Sequence, residues 1–166
     1  NRSSLAILTG DESAEQLKEL GKDIFQFFGL GCRNVSKLYI PEDFDLDRFF
    51  GAIIDYQDIV HHNKYGNNYD YYKAFYMMNK EEMIENGFLL LKEDESLHSP
   101  VAMLFYERYN KLSDVIETLN KHKESIQCKV SLSDKIENAV PLGSSQYPEL
   151  WDYADGVDTM EFLLKL

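Results

Sequence analysis

Long apolar runs are missing from this 166-residue chain. No stretch approaches the roughly 18 residues that a membrane span requires, because charges interrupt the longest candidates. No signal-peptide pattern is visible either, so a soluble, cytoplasmic protein is expected. Basic residues are scarce: 17 Lys plus Arg stand against 29 Asp plus Glu, for a net charge of -12. That balance argues against nucleic acid or an anionic membrane surface as the main partner. Cysteine is nearly absent, with Cys32 and Cys128 far apart in the chain. Two such thiols make a poor disulfide framework, and neither has a neighbour at metal-ligand spacing, so no metal is expected. A glycine-rich phosphate loop of the GxGxxG kind is lacking, as are internal repeats and low-complexity segments.

What is present is the composition of a folded domain. Hydrophobic residues make up 44% and aromatics 13%, too many for a disordered chain and enough for a core at this length. Leu5 to Leu8 forms a short apolar run consistent with a buried strand. Thr9…Glu12 and Ser13…Gln16 are both candidate capping boxes for the helix that follows. In that helix Leu17, Leu20, Ile24, Phe27 and Phe28 recur at helical spacing, and Gly29 stands as the stop. Val35 to Ile40 is the next strand, and Leu46, Phe49, Phe50, Ile53, Ile54 and Val60 trace one face of a second helix. Further strands are expected at Phe88 to Leu91, Val101 to Tyr106 and Ile126 to Leu132, with a helix at Leu112 to Lys121. Strands alternating with helices define an α/β fold with a mainly parallel sheet flanked by helices.

The stretch that organises the rest is GLGCRNVSKLYI, from Gly29 to Ile40. Gly29 and Gly31 allow a sharp turn and a close approach by a substrate. Helix, glycine turn, cysteine and strand together present the Cys32 thiol at the mouth of the sheet, where reactive groups usually sit. Arg33 either lowers the thiol pKa or contacts a phosphate of a ligand, or else caps a carbonyl at the surface. Asn34 braces the turn through its side chain. His61-His62 reads as a helix-end cap, with cations at a helix C-terminus, rather than as a general base or zinc ligand. The tyrosine-rich Tyr65 to Tyr76 segment reads as a turn leading into a short helix. It either lines a tunnel for a substrate, forms a subunit contact or packs within the domain. Cys128 reads as core.

Gly29-Leu30-Gly31-Cys32 followed by Ser36-Lys37-Leu38-Tyr39-Ile40 resembles the cysteine signature of the aldehyde dehydrogenase superfamily. The fuller FFGLGCRNVSKLYIP looks like its acyl-CoA reductase branch, which includes the LuxC-type fatty-acyl reductases. The closing DYADGVDTMEFLLKL is similar to the end of that branch. The resemblance implies an aldehyde-dehydrogenase-like catalytic domain over residues 1–140 and a C-terminal tail over 141–166, with a cofactor-binding domain expected upstream in a longer polypeptide. It implies Cys32 as the nucleophile, Gly31, Arg33 and Asn34 as the loop around the substrate oxyanion, and the Cys32 backbone N–H as one oxyanion donor. The substrate implied is an acyl-CoA or other acyl thioester, reduced to an aldehyde by NADPH. Many members carry a glutamate four positions before the proline that opens the later strand, here Pro100. Ser96 occupies that position, which leaves the neighbouring Glu95 as the candidate cofactor contact. A homo-oligomer is expected, because an isolated piece would expose apolar surface. The alternatives are an aldehyde-oxidising dehydrogenase using the same thiol, or a non-catalytic α/β interaction domain with a vestigial cysteine. Thiol reactivity separates the last of these from the others.

Overall fold

The computed structural model describes residues 2–153 and 157–165. Residues 154–156 and Leu166 of the closing segment, and Asn1 before the first strand, lie outside the described residues. The order is β1 (Ser3–Ile7), α1 (Ala14–Phe25), β2 (Val35–Pro41), α2 (Leu46–Ala52), α3 (Asn63–Met78), β3 (Ile84–Glu85), β4 (Leu90–Glu93), β5 (Met103–Tyr109), α4 (Leu112–Lys121), β6 (Ile126–Ser131), β7 (Ala139–Val140) and α5 (Thr159–Leu164). The strands form one sheet in the order β3-β4-β5-β2-β1-β6-β7. Every pairing is parallel except that of β3 with β4. The expected mainly parallel α/β fold is therefore what forms.

Period-two alternation divides the core between two faces. Ala6 of β1, Leu8 just after it, and Leu38 and Ile40 of β2 turn toward Leu17, Leu20 and Ile24 of α1, Phe49 of α2 and Tyr65 of α3. Leu5, Ile7 and Tyr39 turn the other way, onto Val115 and Leu119 of α4. Both faces are covered, as parallel strands require. Helix α1 starts on the Ser13/Gln16 capping box, in which each side chain takes the other residue's backbone N–H. Glu12 makes a separate loop clasp instead, accepting from the N–H groups of Thr9 and Gly10 and the Thr9 hydroxyl.

Several expected boundaries move. Helix α1 ends at Phe25, and Phe27 and Phe28 take left-handed φ values of 53° and 58° in the following 3₁₀ turn, Gln26–Gly29. Their side chains are 59% and 41% exposed, so they do not continue the apolar face of the helix. The second helix stops at Ala52, and Ile54–His61 continues as 3₁₀ helix. His61 closes that segment, whereas His62 is the N-cap residue of α3 and gives no side-chain cap. A cationic imidazole there would face the positive end of the α3 dipole, opposite to the expected C-terminal cap. The tyrosine-rich segment is the body of α3, a 16-residue helix, rather than a turn. The strands expected at Phe88 and Val101 begin at Leu90 and Met103: Gly87 takes φ 94° ahead of the first, and a Pro100–Met103 turn, closed by the Met103 N–H on the Pro100 carbonyl at 3.2 Å with Ala102 at φ 66°, precedes the second.

Candidate active site

Gly31 to Asn34 is a β-turn closed by the Asn34 N–H on the Gly31 carbonyl at 3.0 Å, with Cys32 and Arg33 at its two corners. Corner side chains point outward, and Cys32 is accordingly exposed. Asn34 is buried and ties the turn to the end of α1. Its Nδ2 donates to the carbonyls of Asp23, Ile24 and Gln26 at 3.0, 3.1 and 2.9 Å. Its Oδ1 accepts the Gly31 N–H at 2.7 Å. A Cβ on Gly31 would come within 2.8 Å of that oxygen, which is why a glycine stands there. The bracing role expected of Asn34 is thus what the side chain performs. It occupies the Gly31 N–H and leaves the Cys32 N–H without an acceptor among the described residues.

The turn opens a cleft of about 420 Å³ at the amino ends of the strands. Arg2 and Ser3 enter it from before and within β1, Val35 and Ser36 from β2, and Leu89 and Pro100 to Ala102 from the approaches to β4 and β5. Open parallel sheets usually bind ligands at the carboxyl ends of their strands. Here the thiol sits at the opposite edge, because Cys32 lies on a helix-to-strand connection, and those connections meet the sheet at its amino ends. Tyr65 reaches the cleft from α3, with its hydroxyl donating to the Phe88 carbonyl at 2.9 Å. Burial pushes its pKa well up, so the phenol stays neutral. Of the tyrosine run, Tyr65 alone lines the cleft among the described residues; Tyr69 is buried within the domain and Tyr71 is exposed. His98 also lines the cleft, and nothing in its sequence surroundings marked it.

Arg33 departs from expectation. Its Nε donates to the Ser145 carbonyl, its guanidinium stands 3.5 Å from Cys128 Sγ, and Asp152 lies 3.9 Å away. The cation therefore faces the other cysteine and not its neighbour Cys32. Residues at the two corners of a turn diverge, which sends Arg33 toward β6. Burial pushes the Cys128 thiol pKa up, and Arg33 offsets only part of that. Cys128 is buried in mid-strand, as expected. Glu95 is exposed on the loop after β4 and is not among the residues lining the cleft.

Behind Cys32, Lys37 is fully buried on the α4 face of β2. It pairs with Glu107 of β5 at 2.6 Å, donates to the Asp94 carbonyl, and lies 5.4 Å from the centre of the Tyr39 ring. Burial pushes the lysine pKa down despite Glu107 and pushes Tyr39 up to about 12. This group fixes β2 against β5 and the loop after β4, so the turn that bears the thiol leads into a strand held on both sides. Among the described residues no cluster of metal-ligating side chains occurs, and no helix is long and apolar enough to cross a membrane.

The mainly parallel α/β fold is similar to that of part of the aldehyde dehydrogenases. No protein-family model matches the sequence, and no curated protein sequence does. Among solved structures, the chain superposes on indole-3-acetaldehyde dehydrogenase of P. syringae in complex with NAD+ (TM-score 0.53, 10% identity, 82% of this chain and 34% of that one). It is also similar to the aldehyde dehydrogenases AldH of Staphylococcus aureus (TM-score 0.53, 11% identity, 80% and 34%) and of Mycobacterium tuberculosis with NAD+ (TM-score 0.52, 13% identity, 81% and 34%). The chain spans about a third of the length of these proteins, and at such identities the likeness is one of fold.

Proposed function

We propose that this chain is the thiol-bearing part of an aldehyde-dehydrogenase-type oxidoreductase that accepts acyl groups from acyl-CoA on Cys32, ahead of their reduction to aldehyde by NADPH. One observation carries the reading: in a fold shared with aldehyde dehydrogenases, an exposed cysteine stands at the corner of a braced turn over a cleft. The acyl-CoA specificity rests on the FFGLGCRNVSKLYIP resemblance.

In the step assigned to this chain, the Cys32 thiolate attacks the carbonyl carbon of the acyl thioester. A new C–S bond forms while negative charge gathers on the carbonyl oxygen, within reach of a donor such as the unused Cys32 N–H. The bond to the CoA sulfur then breaks, and the departing thiolate takes up the proton that Cys32 has lost. The later hydride is the chemistry NADPH would supply. The described residues do not fit that cofactor: Glu95 stands outside the cleft, and no glycine-rich phosphate loop is present. No step of hydride transfer is therefore assigned to residues of this chain.

The structural neighbours are aldehyde dehydrogenases, which favours as second reading an aldehyde-oxidising enzyme using the same thiol. Intact-mass analysis after mixing with acyl-CoA separates the two. The expected outcome is one acyl adduct on Cys32 with one equivalent of free CoA, lost in Cys32→Ser and kept in Cys128→Ser. An adduct on Cys128 overturns the nucleophile assignment. No adduct from acyl-CoA, alongside trapping of an aldehyde on Cys32, favours the oxidising enzyme.

A further inference from the structure

A second cleft, of about 720 Å³, lies beside the first, against the amino half of β6 and the end of α4. Strand β7 pairs only with Lys129 and Val130, which leaves this side of Ile126 to Cys128 uncovered by a strand. Five cations line the cleft, namely Arg2, Arg33, Lys123, Lys129 and Lys135, against the three carboxylates Glu124, Glu137 and Asp152. In the whole chain the balance is reversed, 17 to 29. A local excess of positive charge on so acidic a protein focuses anions at one place.

Among the described residues Arg2, Lys123 and Lys135 have no ion-pair partner. Lys129 is held by the Glu137 carbonyl, and Arg33 by the Ser145 carbonyl and by Asp152 at 3.9 Å. These cations thus converge from the residue before β1, the Cys32 turn, the α4–β6 connection, β6 itself and the loop before β7. Among the described residues, Arg2, Lys123 and Lys135 carry donors that the fold itself does not consume. Arg2 and Gln127 line both clefts, so the cationic cleft adjoins the one that contains Cys32, with these two residues between them.

We propose that the second cleft binds the phosphorylated nucleotide end of the acyl carrier, so that a thioester held there reaches across Arg2 and Gln127 to Cys32. This rests on the acyl-transfer reading above. The shared chemistry is a phosphorylated adenosine diphosphate, which both CoA and NADP+ possess. Phosphates suit this set because arginine and lysine give charge-assisted bonds to their oxygens. The carrier is favoured over the dinucleotide because the adjoining cleft holds the acyl-accepting thiol.

Binding is read by isothermal titration calorimetry, with the fluorescence of Trp151, the single tryptophan and the sequence neighbour of the cleft-lining Asp152, as a second signal. The full chain is titrated with CoA, NADP+ and inorganic pyrophosphate, and again as the Lys123→Ala/Lys135→Ala double variant, whose changes lie at exposed positions. The expected result is CoA binding that pyrophosphate competes for, that weakens with salt, and that falls about tenfold or more in the double variant. Cys32 acylation by acyl-CoA then shows a raised half-saturating concentration in that variant and an unchanged limiting rate. Tighter binding of NADP+ than of CoA overturns the carrier assignment. Absence of binding by every probe, or acylation indifferent to the double substitution, overturns the site while leaving Cys32 acylation intact. CoA binding that responds to the substitutions without any acylation of Cys32 sustains the site and sinks the acyl-transfer reading.

Discussion

Asn34 shows what one buried amide contributes. Its side chain makes four hydrogen bonds, three to carbonyls at the end of α1 and one to the Gly31 N–H. Asn34→Ala removes the side-chain half of all four bonds at once and leaves those backbone groups unpaired where they are largely buried. A loss of about 1–3 kcal/mol is expected, read from urea denaturation. The Gly31 N–H released in the same variant lets the turn open, so Cys32 alkylation should slow or lose its advantage over Cys128. A variant as stable as the parent, with unchanged Cys32 reactivity, would show that the turn holds itself. The turn-bracing half of this role was legible in the sequence, because an asparagine side chain readily bonds the backbone of its own turn, whereas its three bonds to the end of α1 were not. The direction of Arg33 was not. A turn fixes where a side chain starts, whereas the partners that capture a long one, here Ser145 and Asp152, are more than a hundred residues away.

At the level of elements, strongly periodic segments were legible and polar-aromatic ones were not. Helix α4 spans Leu112–Lys121 as its apolar spacing predicts, with Val115 and Leu119 buried. Helix α3 carries tyrosines, asparagines and a glycine on several faces, so no apolar stripe marks it, and its residues resemble a turn. Its formation owes more to packing than to propensity. Tyr65 and Tyr69 anchor it, and Gly66 permits its approach: a Cβ there would meet the Val60 carbonyl oxygen at 2.3 Å. Gly66→Ala is therefore a test of packing against propensity. Alanine gains about 1 kcal/mol of helix propensity over glycine. The clash is with backbone, which cannot rotate aside, and overpacking of this kind costs about 1–3 kcal/mol. A net loss of stability is expected, with a lowered midpoint in thermal unfolding. A stabilised variant would mean that the 3₁₀ segment Ile54–His61 shifts freely to accommodate the methyl group.

For the whole molecule, the alternation of strands and helices was enough to infer a parallel sheet, but not its order. That order depends on where each crossover lands, with β2 lying between β1 and β5 and β6 returning to the far side of β1. The same long-range placement leaves part of the surface apolar. The chain exposes 9866 Å², against about 8,500 Å² expected of a compact monomer of 19.3 kDa. Leu150, Trp151, Met160, Phe162, Leu163 and Leu164 toward the C-terminus and Met77 and Met78 at the end of α3 are all exposed. Apolar surface of this extent favours self-association. A net charge of -12 on every copy opposes it. The two effects respond differently to salt. Charge repulsion reaches about 30 Å at 0.01 M ionic strength and about 10 Å at 0.1 M, whereas apolar contact is hardly screened. Light scattering at matched protein concentration should therefore show a larger mean mass at 0.3 M salt than at 0.01 M. A mass that falls as salt rises would mean that ion pairs, and not the exposed C-terminal side chains, hold the copies together. Leu163→Glu/Leu164→Glu provides the second arm: it removes apolar contact and adds charge, so the protein should remain monomeric at both salt concentrations while Cys32 keeps its reactivity.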